Sequence, residues 1–349
     1  MKAIVFERFG EPSEVLQVRE VPIPEPGPGQ VLVRMIASPV NPSDLLVVRG
    51  LYGVLPTLPA TPGFEGVGVV EKSGGGLIGR LAVGKRVTVI NDRGGNWAEY
   101  AVINARQARP VPDDLPDEQV ASFFVNPATV LAMTRHVLRV RPGEWLLQSA
   151  AGSALGKMII KLGRHDGFKT LCVVRRREAM DELKALGADA VICSEDGPIP
   201  EQVRRIVGSD GVRCALDPVG GETGTQVFES LAAEGKMLIY GTLSGEPIRI
   251  DPRRMIAGKR TVEGFWLGHW MRERWIPQSL RMFRQIAGLI RNGVLATDPG
   301  PEFPPEQIRA AVLDAEVKGK PGKVRLRLGP SQVDRPVLKP SQSGVDPLS

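Results

Sequence analysis

The chain has little of the chemistry that metals, disulfides and membranes require. Of its 349 residues, three are cysteines, three histidines and three tyrosines. Cys172, Cys193 and Cys214 are odd in number and lie singly in apolar, strand-like runs. They read as buried thiols in a reducing cytoplasm rather than as a disulfide framework or a metal cluster. His136, His165 and His269 show neither metal-ligand nor triad spacing, and the first two read as surface or packing residues. No apolar run approaches the roughly 18 residues of a membrane span. "MKAIVFERFG" alternates like a strand and lacks the regions of a secretory leader. The expectation is a cytoplasmic protein with no membrane partner. Lys and Arg outnumber Asp and Glu by 45 to 39, a formal charge of +6, but no long basic block marks a nucleic-acid surface. Anionic small-molecule ligands account for part of that charge.

What is present divides by pattern. Residues 1–122 are β-rich: "KAIVFE", "VLVRMIA", "GVGVVEKSG", "KRVTVI" and "WAEYAVI" alternate between Gly/Pro clusters. Over 123–268 strands alternate with helices, from "EWLLQSA" and "ALGKMIIKLGRH" through "KTLCVV", "AVIC" and "VRCALD" to "KMLIYG". That order implies βαβ crossovers and an α/β class with a parallel sheet. Residues 269–329 bring two amphipathic helices and the basic strand "GKVRLRL" back to the first region, and 330–349 read as a disordered tail.

"EWLLQSAAGSALGKMIIKLG" is a strand, a small-residue turn and a helix, an arrangement that sets backbone N–H groups and a helix dipole against a pyrophosphate. By itself this is a weak signal, but it opens the first of several βαβ units. The second strand ends in Arg175, Arg176 and Arg177 where an NAD site needs a carboxylate. Guanidinium groups form forked bonds to a phosphate, so the run points to NADP(H). The competing reading, a solvated run opening a helix, is weakened because cations are disfavoured at a helix N-terminus.

With both halves in view, the chain resembles the medium-chain dehydrogenase/reductase superfamily over residues 1–329. Within it, the chain resembles the zinc-free, mitochondrial-type 2-enoyl-CoA/acyl-carrier-protein reductases. The matches are "NPSDLLVVRGLYGVLPTLPATPGFEGVG", "FVNPATVLAM", "LCVVRRR", "DPVGG", "IYGTLS" and "EGFWLGHW", of which only the last is specific to that branch. The others are shared with quinone oxidoreductases. The resemblance implies a Rossmann-type cofactor domain beside a GroES-like catalytic domain. Zinc-dependent relatives carry Cys where Asn41 stands and His where Phe64 stands, and often a cysteine-rich lobe where "NDRGGNWAEY" runs. Asp44 and Glu65 remain, but without soft or imidazole partners they make a poor zinc site.

The same resemblance implies a site. Gly152, Ser153, Ala154 and Leu155 line the pyrophosphate, with Ala154 replacing a usual glycine. Asn126 faces the nicotinamide side, Tyr240, Gly241, Thr242, Leu243, Phe265, Trp266, Leu267 and Gly268 line the nicotinamide and substrate channel, and Lys323 closes the cofactor site. His269 edges the channel. Tyr52, in "RGLYGVLP", is the candidate catalytic hydroxyl and Asn41 the second polar group. Reducing an enoyl thioester needs hydride at Cβ, a donor for the developing enolate and a proton at Cα. A tyrosine, with an ordinary pKa near 10, keeps its proton at neutral pH and either donates it or orients the substrate while water gives the proton. Sequence leaves open whether Tyr52 is instead a loop anchor and whether Asn41 only forms a turn. Arg272 and Arg274 are placed either on a solvated face or beside a substrate phosphate. The implied function is NADPH-dependent reduction of an enoyl-CoA or enoyl-carrier-protein thioester. A quinone or enone reductase is the alternative, and a non-catalytic binding protein the remote one. The apolar strands "KMLIYG" and "RTVEGFWL" form a sheet edge that pairing in a homodimer covers.

Overall fold

The computed structural model describes residues 1–274, 276–317, 319 and 322–330. The part of the expected tail that runs over 331–349 lies outside the described residues. The first lobe opens with an antiparallel pair, β1 (Lys2–Val5) and β2 (Gln17–Glu20). It continues into the long β3 (Gln30–Pro39), β4 (Glu65–Ser73), β5 (Arg86–Ile90), β6 (Tyr100–Asn104) and β7 (Ala108–Pro110). β3 carries almost uninterrupted buried residues because it pairs with β4 on one side and with β6 and the late strand Lys323–Arg327 on the other. Trp97, fully buried, anchors this core with Phe6, Met35 and Ile103.

The second lobe is a six-stranded sheet of β8 (Trp145–Gln148), β9 (Lys169–Val174), β10 (Ala190–Cys193), β11 (Val212–Asp217), β12 (Leu231–Ile239) and β13 (Thr261–Gly264). All pairings are parallel, in the order β10-β9-β8-β11-β12-β13. Such a sheet is covered by helices on both faces, and its strands accordingly read as short continuous apolar runs. The order reverses between β8 and β11, and ligands of such sheets bind at the carboxyl ends of the strands around that switch point. The chain then returns to the first lobe through β14 (Pro299–Phe303) and β15 (Lys323–Arg327), which complete a sheet ordered β14-β15-β3-β4-β5-β7. The fold is therefore mixed α/β, a Rossmann-type parallel sheet beside a GroES-like β lobe.

One expectation about the sheet edge is corrected. "KMLI" of "KMLIYG" lies in β12, which is interior and paired on both sides, so of the two strands only β13 lies at a sheet edge. The three cysteines are buried free thiols, and burial pushes Cys172 up to about 12 and Cys214 to about 11.

Candidate active site

The strand-to-helix turn after β8 is a ready cradle for phosphate. Ala150 takes a left-handed conformation, φ +48°, which turns the chain sharply into the helix Ala154–Asp166. Ser153 caps that helix, its Oγ accepting the Gly156 N–H at 3.1 Å. A Cβ at Gly156 would lie 2.5 Å from the Ala151 carbonyl oxygen, so only glycine lets the helix sit this close to the turn. In front of Gly152, by contrast, a Cβ would meet nothing within 4 Å, and Gly152 and Ser153 are exposed. Helix geometry leaves the first-turn N–H groups, Ala154 and Leu155 among them, without intrahelical acceptors. An open approach, orphan donors and the positive end of a 13-residue helix fit a pyrophosphate.

Arg175, Arg176 and Arg177 are exposed where β9 ends. They are not equivalent. Arg177 is drawn to Asp196, its Nε 2.7 Å from Oδ1. Arg176 lies against the backbone of Gly319, since a Cβ there would meet its Nη2 at 2.8 Å. Arg175 uses its carbonyl oxygen to accept the Cys193 thiol.

The loops expected to line the channel leave the carboxyl ends of the neighbouring strands. Asp217, fully buried at the end of β11, accepts the Ser149 hydroxyl and the N–H groups of Val219 (3.2 Å) and Gly220 (2.8 Å), so it ties β8 to the turn after β11. The segment after β12 folds onto that turn: the Tyr240 N–H donates to the Asp217 carbonyl at 3.1 Å and the Leu243 N–H to Pro218 at 3.0 Å. The Tyr240 ring packs on the core below, and its buried hydroxyl has no partner among the described residues. Burial raises its pKa, so the phenol keeps its proton at neutral pH. Phe265, after β13, is held through its N–H to the Ile239 carbonyl at 2.7 Å.

From there Trp266 reaches across to the β lobe. Its indole Nε1–H donates to the Tyr52 hydroxyl oxygen at 2.7 Å, and the two rings meet edge to face with centroids 5.4 Å apart. Tyr52 follows the helix Pro42–Val48, and its other flank packs on Phe64 at 5.2 Å. Desolvation raises the Tyr52 pKa, opposed by the Trp266 bond and reinforced by Asp44. The hydroxyl therefore stays protonated at neutral pH. Since Trp266 occupies a lone pair, the Tyr52 hydrogen is left to point at something else. His269 and Arg272 stack on Trp266, at 4.4 and 5.9 Å, whereas Arg274 stacks on Trp270 at 4.2 Å.

Beneath Tyr52 is a buried charged cluster. Asn41, 2% exposed, donates through Nδ2 to Glu65 Oε1 at 3.0 Å, and its Oδ1 has no partner among the described residues. Glu65 also accepts the N–H groups of Phe124 (3.2 Å) and Val125 (2.9 Å), which fixes the start of the helix Val125–Leu131 and hence Asn126. Asp44 accepts the Asn41 N–H at 2.8 Å and the Phe64 N–H at 3.0 Å. Desolvation pushes Asp44 up to about 7 and raises Glu65 as well. Lys323, from the start of β15, is buried beside both carboxylates; desolvation lowers its pKa while they hold it up. Lys323 is thus a counter-charge to carboxylates, a setting that sequence reading missed. A signal was available: "NPSD" has the spacing of a capping box, with an acid three residues after a cap residue.

Among the described residues, no group of three or more His, Cys, Asp or Glu is arranged to hold a metal ion. Residues 27–113 match the model of the alcohol dehydrogenase GroES-like domain and residues 154–285 that of the zinc-binding dehydrogenase. With the fold and cleft described above, these matches place the chain in the medium-chain dehydrogenase/reductase superfamily. Within it, the chain belongs to the zinc-free branch of enoyl reductases and quinone oxidoreductases. It is 34% identical over 322 residues to the mitochondrial enoyl-[acyl-carrier-protein] reductase of Xenopus tropicalis, covering 90% of this chain and 92% of that one. The Escherichia coli quinone oxidoreductase complexed with NADPH superimposes with a TM-score of 0.85 at 25% identity, covering 94% of this chain and all of the other. The Etr1p/NADP/crotonyl-CoA complex superimposes with a TM-score of 0.80 at 27% identity, over 93% of this chain and 99% of that one.

Proposed function

We propose that the protein reduces the C=C bond of a 2-enoyl thioester with NADPH, and that Tyr52 serves as the hydroxyl donor. The observation that carries this reading is the 2.7 Å bond from Trp266 to Tyr52, because it presents a protonated hydroxyl between the lobe that bears the nucleotide cradle and the β lobe. NADPH, when bound, supplies the hydride for Cβ. The cradle at Gly152–Leu155 holds its pyrophosphate, and Arg175 and Arg176 meet the 2′-phosphate. The Tyr52 O–H donates to the thioester oxygen as enolate charge develops there, a role that positioned donors fill in metal-free sites. It also orients the substrate for protonation at Cα, the proton coming from the Tyr52 hydroxyl or from a solvent water. The similarity to enoyl-[acyl-carrier-protein] reductases across nine-tenths of the chain supports a thioester substrate, as does the crotonyl-CoA complex of a superimposable protein.

A second reading, reduction of quinones or simple enones, is supported by the likeness to the E. coli quinone oxidoreductase. Purified protein given NADPH with crotonyl-CoA, a quinone and an enone separates the two by kcat/KM. Failure to oxidise NADPH with any enoyl thioester would overturn the first reading. We further propose a homodimer closed through the β13 edge. The buried free thiols support a reducing, cytoplasmic site of action.

A further inference from the structure

We propose that Asp44 is a positioning residue for this reaction: its carboxylate, with Lys323 as counter-charge, keeps the Tyr52 loop docked on β4. The substrate assay below rests on the enoyl reductase reading. The argument begins with how the two carboxylate oxygens are used. Oδ2 accepts the Asn41 N–H at the head of the helix Pro42–Val48, and Oδ1 accepts the Phe64 N–H twenty residues on. One fully buried side chain thus pins the start of the Tyr52-bearing segment to the residue preceding β4. The same residue, Phe64, packs its ring on Tyr52. Gly63 tightens this joint, since at φ +102° a Cβ would lie 2.5 Å from Trp97 Cδ1.

The charged and titratable groups facing Asp44 are Glu65 from β4 and Lys323 from β15, with Tyr52 on the loop beyond its own helix. Glu65 opposes ionisation of Asp44 and Lys323 favours it. Both oxygens act as acceptors, so the ionised form is the one that the backbone is arranged to receive. A proton on either oxygen turns that acceptor into a competing donor and loosens one end of the clip. With Asp44 titrating at about 7, turnover should rise with pH through neutrality.

The test uses kcat and KM for crotonyl-CoA from pH 5.5 to 8.5, with hydrogen exchange of the 45–55 amides corrected for intrinsic rates. Asp44→Asn keeps the shape and one acceptor. At pH 8 it should lower kcat on the order of 10- to 100-fold, the scale for a misplaced group. It should leave KM nearly unchanged, abolish the acid limb and leave residues 45–55 weakly protected at every pH. Lys323→Met should move the wild-type limb to higher pH. An Asp44→Asn enzyme that keeps the limb, or wild-type protection of 45–55 that is independent of pH, would overturn the proposal. If wild-type protein turns over no enoyl thioester, crotonyl-CoA included, the enoyl reductase reading fails, and the exchange profile decides the role of Asp44. If Asp44→Asn does not fold, the wild-type profile and Lys323→Met decide it.

Discussion

Trp266 donates its indole N–H to the hydroxyl oxygen of Tyr52 at 2.7 Å, a bond between residues 214 apart in the chain. The contact orients a hydroxyl carried on a loop. Tyr52→Phe removes the donor and should lower kcat on the order of 10²- to 10³-fold, as loss of one oxyanion donor does. Binding of NADPH should stay within a few-fold of wild type. Trp266→Phe keeps an aromatic ring but frees the Tyr52 hydroxyl to rotate, so its loss should be smaller. The two groups belong to one network, so their effects should not add. The double variant should be scarcely slower than Tyr52→Phe alone, and fully multiplicative losses would contradict this coupling.

The three arginines after β9 should separate by function. Arg177 is engaged by Asp196, and its replacement by Ala should change the NADPH KM little. Arg175→Ala and Arg176→Ala should each raise it on the order of 10-fold or more, the scale of a charged hydrogen bond. The KM for NADH, which lacks the 2′-phosphate, should barely move. Steady-state kinetics with both cofactors reads this directly, and equal losses for all three would show a general electrostatic effect instead.

Local pattern made the strand–turn–helix at 145–166 and the arginine run legible, because each is set by residues within about 20 positions of one another. Tyr52 stood out through its surroundings and the motif around it. Its bond to Trp266 did not, since no periodicity relates residues brought together by the joining of two lobes. The sequence motif places Lys323 with the cofactor, but its neighbours Asp44 and Glu65 lie on a helix and a strand about 280 and 260 residues earlier. The sheet edge shows the same limit. β12 and β13 follow each other in the chain, yet only the order of the completed sheet shows which one is outermost.

That edge carries a prediction about assembly. β13 has no neighbour on its outer side among the described residues, and its burial is low. Unpaired edges of this kind are templates for another strand. Sedimentation at micromolar concentration should give a dimer, with exchange at 261–264 slowing as protein concentration rises. A stable monomer with fast exchange there would exclude pairing through β13.

The buried carboxylates should also set how stability depends on pH. Asp44 titrates at about 7 in the folded protein against 3.8 for the unreacted side chain, and Glu65 is shifted in the same direction. The native state therefore holds more protons than the unfolded chain between these values. Stability from Asp44 is complete below about pH 4 and declines as pH rises towards 7. Lys323, whose pKa is lowered, contributes the opposite slope in the window below its ordinary 10.5. Scanning calorimetry should show a larger fall in Tm from pH 5 to 7.5 for wild type than for Asp44→Asn. Equal slopes would mean that Asp44 does not titrate in this range. Its ionised form, which clips the Tyr52 loop in place, is also the costlier one to fold. Activity and stability should thus run in opposite directions as Asp44 ionises.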